Sequence, residues 1–231
     1  MGLTPIKQFG RPRSGTNYTR WVIENNFSNV RVLQNVFGGK HRRYNPGDFE
    51  KDSESWLSHP NVITDLNREE IEKFKSDYQN GSMIFVVTMK TLDKYLTSLV
   101  RYKGTALDPN DQSAVEREIE LYNSINLNYI RQIPAPSIFI NYAAIKPQWD
   151  IIRSFFVDNG LEPIGDGRDI ELKQKLAANP DKKNIRTLSE EKYQDYGHDN
   201  DVSYFSADIR DSEHKKISEF LEKGVDVRLQ Q

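Results

Sequence analysis

The residues with the clearest chemical potential lie near the N-terminus, in the run Ile6-Lys7-Gln8-Phe9-Gly10-Arg11-Pro12-Arg13-Ser14-Gly15-Thr16-Asn17-Tyr18. It reads as a short apolar strand, a tight glycine loop and the first turn of a helix. That order aims backbone N–H groups and a positive helix end at one point, which suits an anion. Ser14, Gly15, Thr16 and Asn17 can offer N–H groups there, and Thr16 adds a hydroxyl. The spacing from Gly10 to Gly15 is that of a phosphate-cradling loop. The next residue is Thr16, however, where a triphosphate loop requires lysine. The run therefore predicts a loop that holds phosphate without cleaving a triphosphate.

Two other segments end in distinctive residues. Met83-Ile84-Phe85-Val86-Val87 is an unbroken apolar run, as expected of a strand buried on both faces. It continues into Thr88-Met89-Lys90, and Ser98 follows eight positions after Lys90. A second apolar stretch, Ser137 to Asn141, runs into Tyr142-Ala143-Ala144-Ile145.

Strand and helix patterns alternate along the chain, which predicts an α/β domain with a mainly parallel sheet. Strands are expected at 5–9, 29–34, 83–87 and 137–141. Helices are expected at 15–26, at 67–79 with Asn67 as cap, and through Leu92, Tyr95, Leu96 and Leu99. Ser113 with Glu116 reads as a capping box opening a long helix towards Arg131. Pro147 and Gly160 bracket another helix, and Ser212 to Lys223 forms the last. Trp21, Tyr95, Tyr122 and Phe155 fall at helical spacings and are expected in the core. In a doubly wound sheet, ligands collect at the carboxyl ends of the strands. The first loop, Lys90 and Tyr142 all fall at such ends.

At this point the chain resembles the sulfotransferases that use 3′-phosphoadenosine 5′-phosphosulfate (PAPS). Their first motif, a strand followed by Pro-[Lys/Arg]-Ser-Gly-Thr, is matched by Pro12 to Thr16. Their second, a strand followed by a basic residue with a serine eight positions on, is matched by Lys90 and Ser98. Tyr142 to Ile145 resembles their strand-end Tyr-x-x-Leu turn. The resemblance covers residues 5–160 and implies a three-layer P-loop NTPase-like fold. Three departures stand out: Lys90 replaces the commoner arginine, Leu92 stands where proline is usual, and the late Arg-Lys-Gly-type loop over the 3′-phosphate is met only by Asp181-Lys182-Lys183-Asn184-Ile185-Arg186.

The resemblance implies PAPS as sulfuryl donor, without a metal. Ser14, Gly15, Thr16 and Asn17 would hold the 5′ end, and Lys90 with Ser98 the 3′-phosphate. Arg13 would stabilise charge on the leaving phosphate. It also implies a general base, histidine or glutamate, after the second strand. His41, in Phe37-Gly38-Gly39-Lys40-His41-Arg42-Arg43, fits best, since an ordinary histidine pKa of about 6.5 suits that role. Lys40 beside it could assist at the transferred group. Glu24 is the poorer choice, lying in what reads as ordinary surface. The acceptor is expected to be a small molecule or carbohydrate hydroxyl. Two rivals share the fold: a small-molecule kinase, and a nucleotide-binding module without catalysis.

Bulk composition narrows the remaining classes. With 231 residues, 36% hydrophobic and 29% charged, the chain reads as one domain, residues 1–231, with a polar excursion around 162–201. A net charge of -2 argues against general nucleic-acid binding. With no cysteine there is no thiolate chemistry, and His59, His198 and His214 show no metal-ligand spacing. No apolar stretch reaches membrane-spanning length, and a cytoplasmic protein is expected.

Overall fold

The computed structural model describes residues 3–58, 66–102, 107–164 and 212–230. Five strands form one sheet: β1 (Thr4–Phe9), β2 (Val30–Leu33), β3 (Ile84–Met89), β4 (Ser137–Asn141) and β5 (Val225–Arg228). Their order across the sheet is β2-β1-β3-β4-β5. The first four are mutually parallel, and β5 pairs antiparallel with β4. The chain leaves β1 towards β2, then returns to the other side of β1 with β3. This reversal opens a crevice at the carboxyl ends of β1 and β3, the usual ligand position in such sheets.

Helices cover both faces, giving the three-layer α/β architecture with a central, mainly parallel sheet. They are α1 (Thr16–Asn26), α2 (Ser53–Leu57), α3 (Arg68–Gln79), α4 (Leu92–Val100), α5 (Gln112–Gln132), α6 (Trp149–Asp158) and α7 (Ser212–Glu222). Strand alternation sorts side chains between the layers. Ile6, Val32, Ile84, Val86, Ile138 and Ile140 pack with Trp21 and Val22 of α1 and with Phe155 and Phe156 of α6. Phe9, Leu33, Phe85, Val87, Met89 and Phe139 face the opposite core, with Phe74, Tyr95, Tyr122 and Ile217 from α3, α4, α5 and α7. The unbroken apolar run at β3 is thus buried on both sides.

Several local expectations change. The long helix α5 starts one residue before Ser113 and is capped by Asp111, whose carboxylate accepts from the Ala114 amide. Asp111 wins because its oxygen reaches an otherwise orphaned N–H of the first turn, whereas Ser113 already lies inside the helix. The box at Asn67 and Glu70 forms as expected. Residues 35–58, rich in Gly, Pro, Asn and charge, supply Phe37, Tyr44, Phe49 and Trp56 to the core. Phe37 stacks on Phe49 at 4.9 Å, and Phe49 on Tyr78 at 3.9 Å. Strand β5 was not foreseen: four half-buried or exposed residues carry little periodic signal. Of the polar excursion, only residues up to 164 are described, and the Ile164 amide bonds the Asn26 carbonyl at 2.8 Å. His59, His198 and residues 181–186 lie outside the described residues.

One polar cluster ties α4 and α5 to the loop after β1. Arg11 is almost fully buried and donates to the Tyr95 hydroxyl at 2.8 Å and to Glu118 at 2.5 Å, while Tyr95 also donates to Glu118. Leaving such an arginine without its carboxylate is costly. Glu118→Ala is therefore expected to lower the unfolding free energy by about 2–3 kcal/mol, discounted for the partial exposure of Glu118. Urea denaturation checks this, and a loss below about 0.5 kcal/mol would count against the cluster as an anchor.

Candidate active site

The loop after β1 is built from two backbone reversals. Arg11 to Ser14 form a tight turn, closed by the Ser14 amide on the Arg11 carbonyl at 3.1 Å. Pro12 sets its second position, and Arg13 takes a left-handed φ of 68° at its third. This bond consumes the Ser14 N–H, so that group is not available as the sequence suggested. Gly15 is also left-handed, at φ 94°, and caps α1 with no side chain of its own. The amides of the first turn of α1 therefore receive no side-chain cap. The ring of Tyr142 lies against Gly15 where any β-carbon would overlap it. The Ser14 hydroxyl is buried and has no hydrogen-bond partner. The Ser14 hydroxyl thus lies buried beside a helix start that its N-cap residue leaves without a side-chain cap.

The structure brings Arg13 and Ser98 together: Arg13 Nε donates to Ser98 Oγ at 3.3 Å. The guanidinium also lies 4.6 Å from the Tyr102 ring centroid. The main chain of Arg13 thus belongs to the first loop and its side chain to α4. Lys90 Nζ sits 4.5 Å from the centroid of the Tyr142 ring, the same ring that covers Gly15. The Tyr122 hydroxyl fixes the Lys90 carbonyl at 2.5 Å. Lys90 thus meets the start of α1 through Tyr142, and Ser98 meets the loop through Arg13.

Lys40 and His41 reach the same end from the segment after β2. Lys40 Nζ donates to Asn17 Oδ1 at 2.6 Å and to Gln34 Oε1 at 2.8 Å. Gln34 in turn donates to Gln8, and Gln8 to the Thr16 carbonyl. The Gly10 amide bonds the Lys40 carbonyl at 2.8 Å. His41 Nδ1 lies 2.6 Å from the Gly10 carbonyl. Since a carbonyl only accepts, Nδ1 carries the proton and Nε2 keeps its lone pair. Burial, then the charges of Lys40 and Arg11, push the His41 pKa down to about 4, despite the Gly10 bond raising it. This corrects the expected value of about 6.5: the imidazole is neutral at physiological pH but a weaker base. Burial, and secondarily the charge of Arg20, push Lys40 down to about 7.

Glu24 is not the surface residue expected. Both carboxylate oxygens accept from Arg20 Nε, one also from the Val32 amide, and burial raises its pKa. These contacts tie α1 to β2 and make it a structural residue. Gln8, Gln34 and Lys7, which also meet the Lys40 segment, were not among the candidate residues. Polar Lys7 and Gln8 inside an apolar strand were the available signal. Beside the Lys40 segment lies a cavity of about 110 Å³, lined by Asn35, Gly38, Gly39, Arg42, Asp48, Lys51 and Trp56. Among the described residues no group of His, Asp or Glu could hold a metal ion, and no helix is long and apolar enough to cross a membrane.

These shifts fix the sign of the pH dependence of stability. His41 has a folded pKa of about 4 against 6.5, and Lys7 and Lys40 about 7 against 10.5. In those windows the unfolded chain binds more protons, so stability rises with pH from about 4 to 6.5 and again above about 7. Burial raises Tyr44, Tyr95, Tyr122 and Tyr129, so stability is lost again above about pH 10, where the unfolded tyrosines ionise. Urea midpoints from pH 5 to 11 are expected to peak between about 8 and 10. Lys7→Met and Lys40→Met should each flatten the rise above pH 7. A peak at or below pH 7 would contradict the buried lysines.

No protein-family model and no curated protein matches this chain. Among solved structures it is similar to a sulfotransferase domain from the curacin biosynthetic pathway, at 12% identity and a TM-score of 0.46, over 99% of each chain. That likeness is too distant to carry an argument about function.

Proposed function

We propose that this protein transfers a sulfuryl group from PAPS to a hydroxyl acceptor, a carbohydrate by the resemblance of its motifs. The observation that carries the reading is the convergence of two anion grips on one helix end. One is the uncapped first turn of α1 with the buried Ser14 hydroxyl. The other is Arg13, Ser98 and Lys90, gathered from the ends of β1 and β3. A nucleotide phosphorylated at both 5′ and 3′ positions needs such a pair. Thr16 in place of the triphosphate-loop lysine weighs against kinase chemistry.

The donor supplies a sulfuryl group on a good leaving phosphate, without a metal in this reading. The amides of Thr16 and Asn17 hold the 5′ end, helped by the helix dipole. Arg13, whose side chain already lies on Ser98, joins Lys90 in holding the 3′-phosphate rather than serving the leaving phosphate. Lys40, held at Asn17, supplies positive charge at the transferred group. His41 Nε2 accepts the acceptor's hydroxyl proton, with Nδ1–H oriented by Gly10. The cavity lined by Gly38, Gly39 and Arg42 offers the acceptor a place beside this segment.

Calorimetric titration with 3′-phosphoadenosine 5′-phosphate tests the donor, and no binding at millimolar ligand would remove it. Lys90→Ala and Arg13→Ala are each expected to weaken this nucleotide about 10–100-fold, the worth of one charge-assisted contact, and its 3′-hydroxyl analogue far less. Equal losses for both ligands would dismiss them as 3′ contacts. Lys40→Met is expected to cut turnover about 100-fold with nucleotide affinity changed only a few-fold. In the wild type, kcat/KM should be level between about pH 4 and 7 and fall above 7 as Lys40 loses its charge. A rate that climbs through pH 7 would refute the assigned roles.

A further inference from the structure

Lys7 lies in the middle of β1 and is fully buried, an unusual position for a lysine. Its Nζ donates to the carbonyls of Val36 and Gly38, both at 2.6 Å, and of Gln34 at 3.4 Å. An ammonium has three donors, and here three carbonyls take them. The nitrogen also sits 4.8 Å from the Phe9 ring centroid. The carbonyls belong to the segment between β2 and Lys40. That segment doubles back on itself, closing with the Lys40 amide on the Gln34 carbonyl at 2.7 Å. Two consecutive residues, Phe37 and Gly38, are left-handed, at φ 57° and 86°. A bulky residue in that region costs free energy and persists only where its surroundings impose it. The stacking of Phe37 on Phe49 and the bonds to Lys7 are what impose it here.

We infer that Lys7 is a positioning residue: its buried ammonium gathers the carbonyls of Gln34, Val36 and Gly38 and thereby fixes Lys40 at Asn17 and His41 at Gly10. The inference rests on the roles given to Lys40 and His41 above. The charged groups facing Lys7 are Asp48, which favours its charge, and Lys40, which opposes it. Fully buried, Lys7 acts through the segment it holds. Without it the three carbonyls would lose their shared donor, and the turn would be free to leave its left-handed path. His41 would then lose its bond to Gly10 and part of its burial.

The test reads His41 directly, by NMR titration of its ring in the ligand-free protein. The wild type is expected near 4, with the proton on Nδ1. Lys7→Met keeps the length of the stem and removes the donors. In the folded variant the His41 titration should rise by at least about one unit towards 6.5, as burial is relieved. Turnover should fall at least about tenfold, with nucleotide affinity within about threefold. An unmoved His41 titration in folded Lys7→Met overturns the proposal. Should that variant not fold, hydrogen exchange in the Lys40→Met background serves instead, because Lys7 is then the titrating lysine of this segment. Opening that frees the segment exposes Lys7 and returns its pKa towards 10.5, so protection of the Gly10 amide and the amide at position 40 should rise at least about tenfold between pH 6 and 8.5, after correction for intrinsic exchange. Unchanged protection overturns the clamp. Neither readout needs a substrate, so a wild type that binds no nucleotide would refute the proposed function while leaving Lys7 to be judged on its own evidence.

Discussion

The N-terminus of α1 is an uncapped dipole, and the arrangement around it follows from that. Gly15 offers no side chain to the first-turn amides, and Tyr142 leaves no space for one. The crevice between the ends of β1 and β3 is where this dipole emerges, because the strand order reverses there. Each neighbouring element then contributes a cation or a hydroxyl: Arg13 from the loop, Lys90 and Ser98 from β3 and α4, Lys40 from the segment after β2. Collecting positive groups at a positive helix end is unfavourable in isolation. Neutral partners reduce the cost: Tyr142 under Lys90, and Asn17 and Gln34 on Lys40.

The same economy explains why polar residues interrupt a core strand. Gln8 connects the Thr16 carbonyl to Gln34 and so to Lys40, while Lys7 on the opposite face collects the carbonyls beyond Gln34. The two side chains point to different layers, as strand alternation requires, yet both end on one segment. The cost of burying them is met by hydrogen bonds, and the return is a fixed approach for Lys40 and His41. Arg11 is the counterexample. It looks like part of the anion loop, but its charge is spent on Glu118 and Tyr95.

Much of the framework was legible in the sequence because it rests on local rules. The apolar run of β3, the glycine loop, the Asn67 capping box and the bracketed α6 each report their structure directly. Candidate site residues could be named, but not the contacts that each makes. Nothing local pairs Arg13 with Ser98, or Gly15 with Tyr142, since those contacts arise from the crossovers that set β3 and β4 in order beside β1. The aromatic filling of residues 35–58 was obscured by its Gly, Pro and charged neighbours, which dominate a periodicity reading. The pKa of His41 was out of reach for the same reason: burial and the charges of Lys40 and Arg11 are tertiary facts.

The central claim is that one doubly phosphorylated nucleotide occupies both grips at once. A crystal structure with 3′-phosphoadenosine 5′-phosphate bound tests it most directly. The account predicts the 5′-phosphate on the first-turn amides of α1, within hydrogen-bond reach of the Ser14 hydroxyl, and the 3′-phosphate against Arg13, Lys90 and Ser98. A nucleotide bound with either phosphate away from its grip, or in the cavity lined by Asn35 and Trp56, would contradict it.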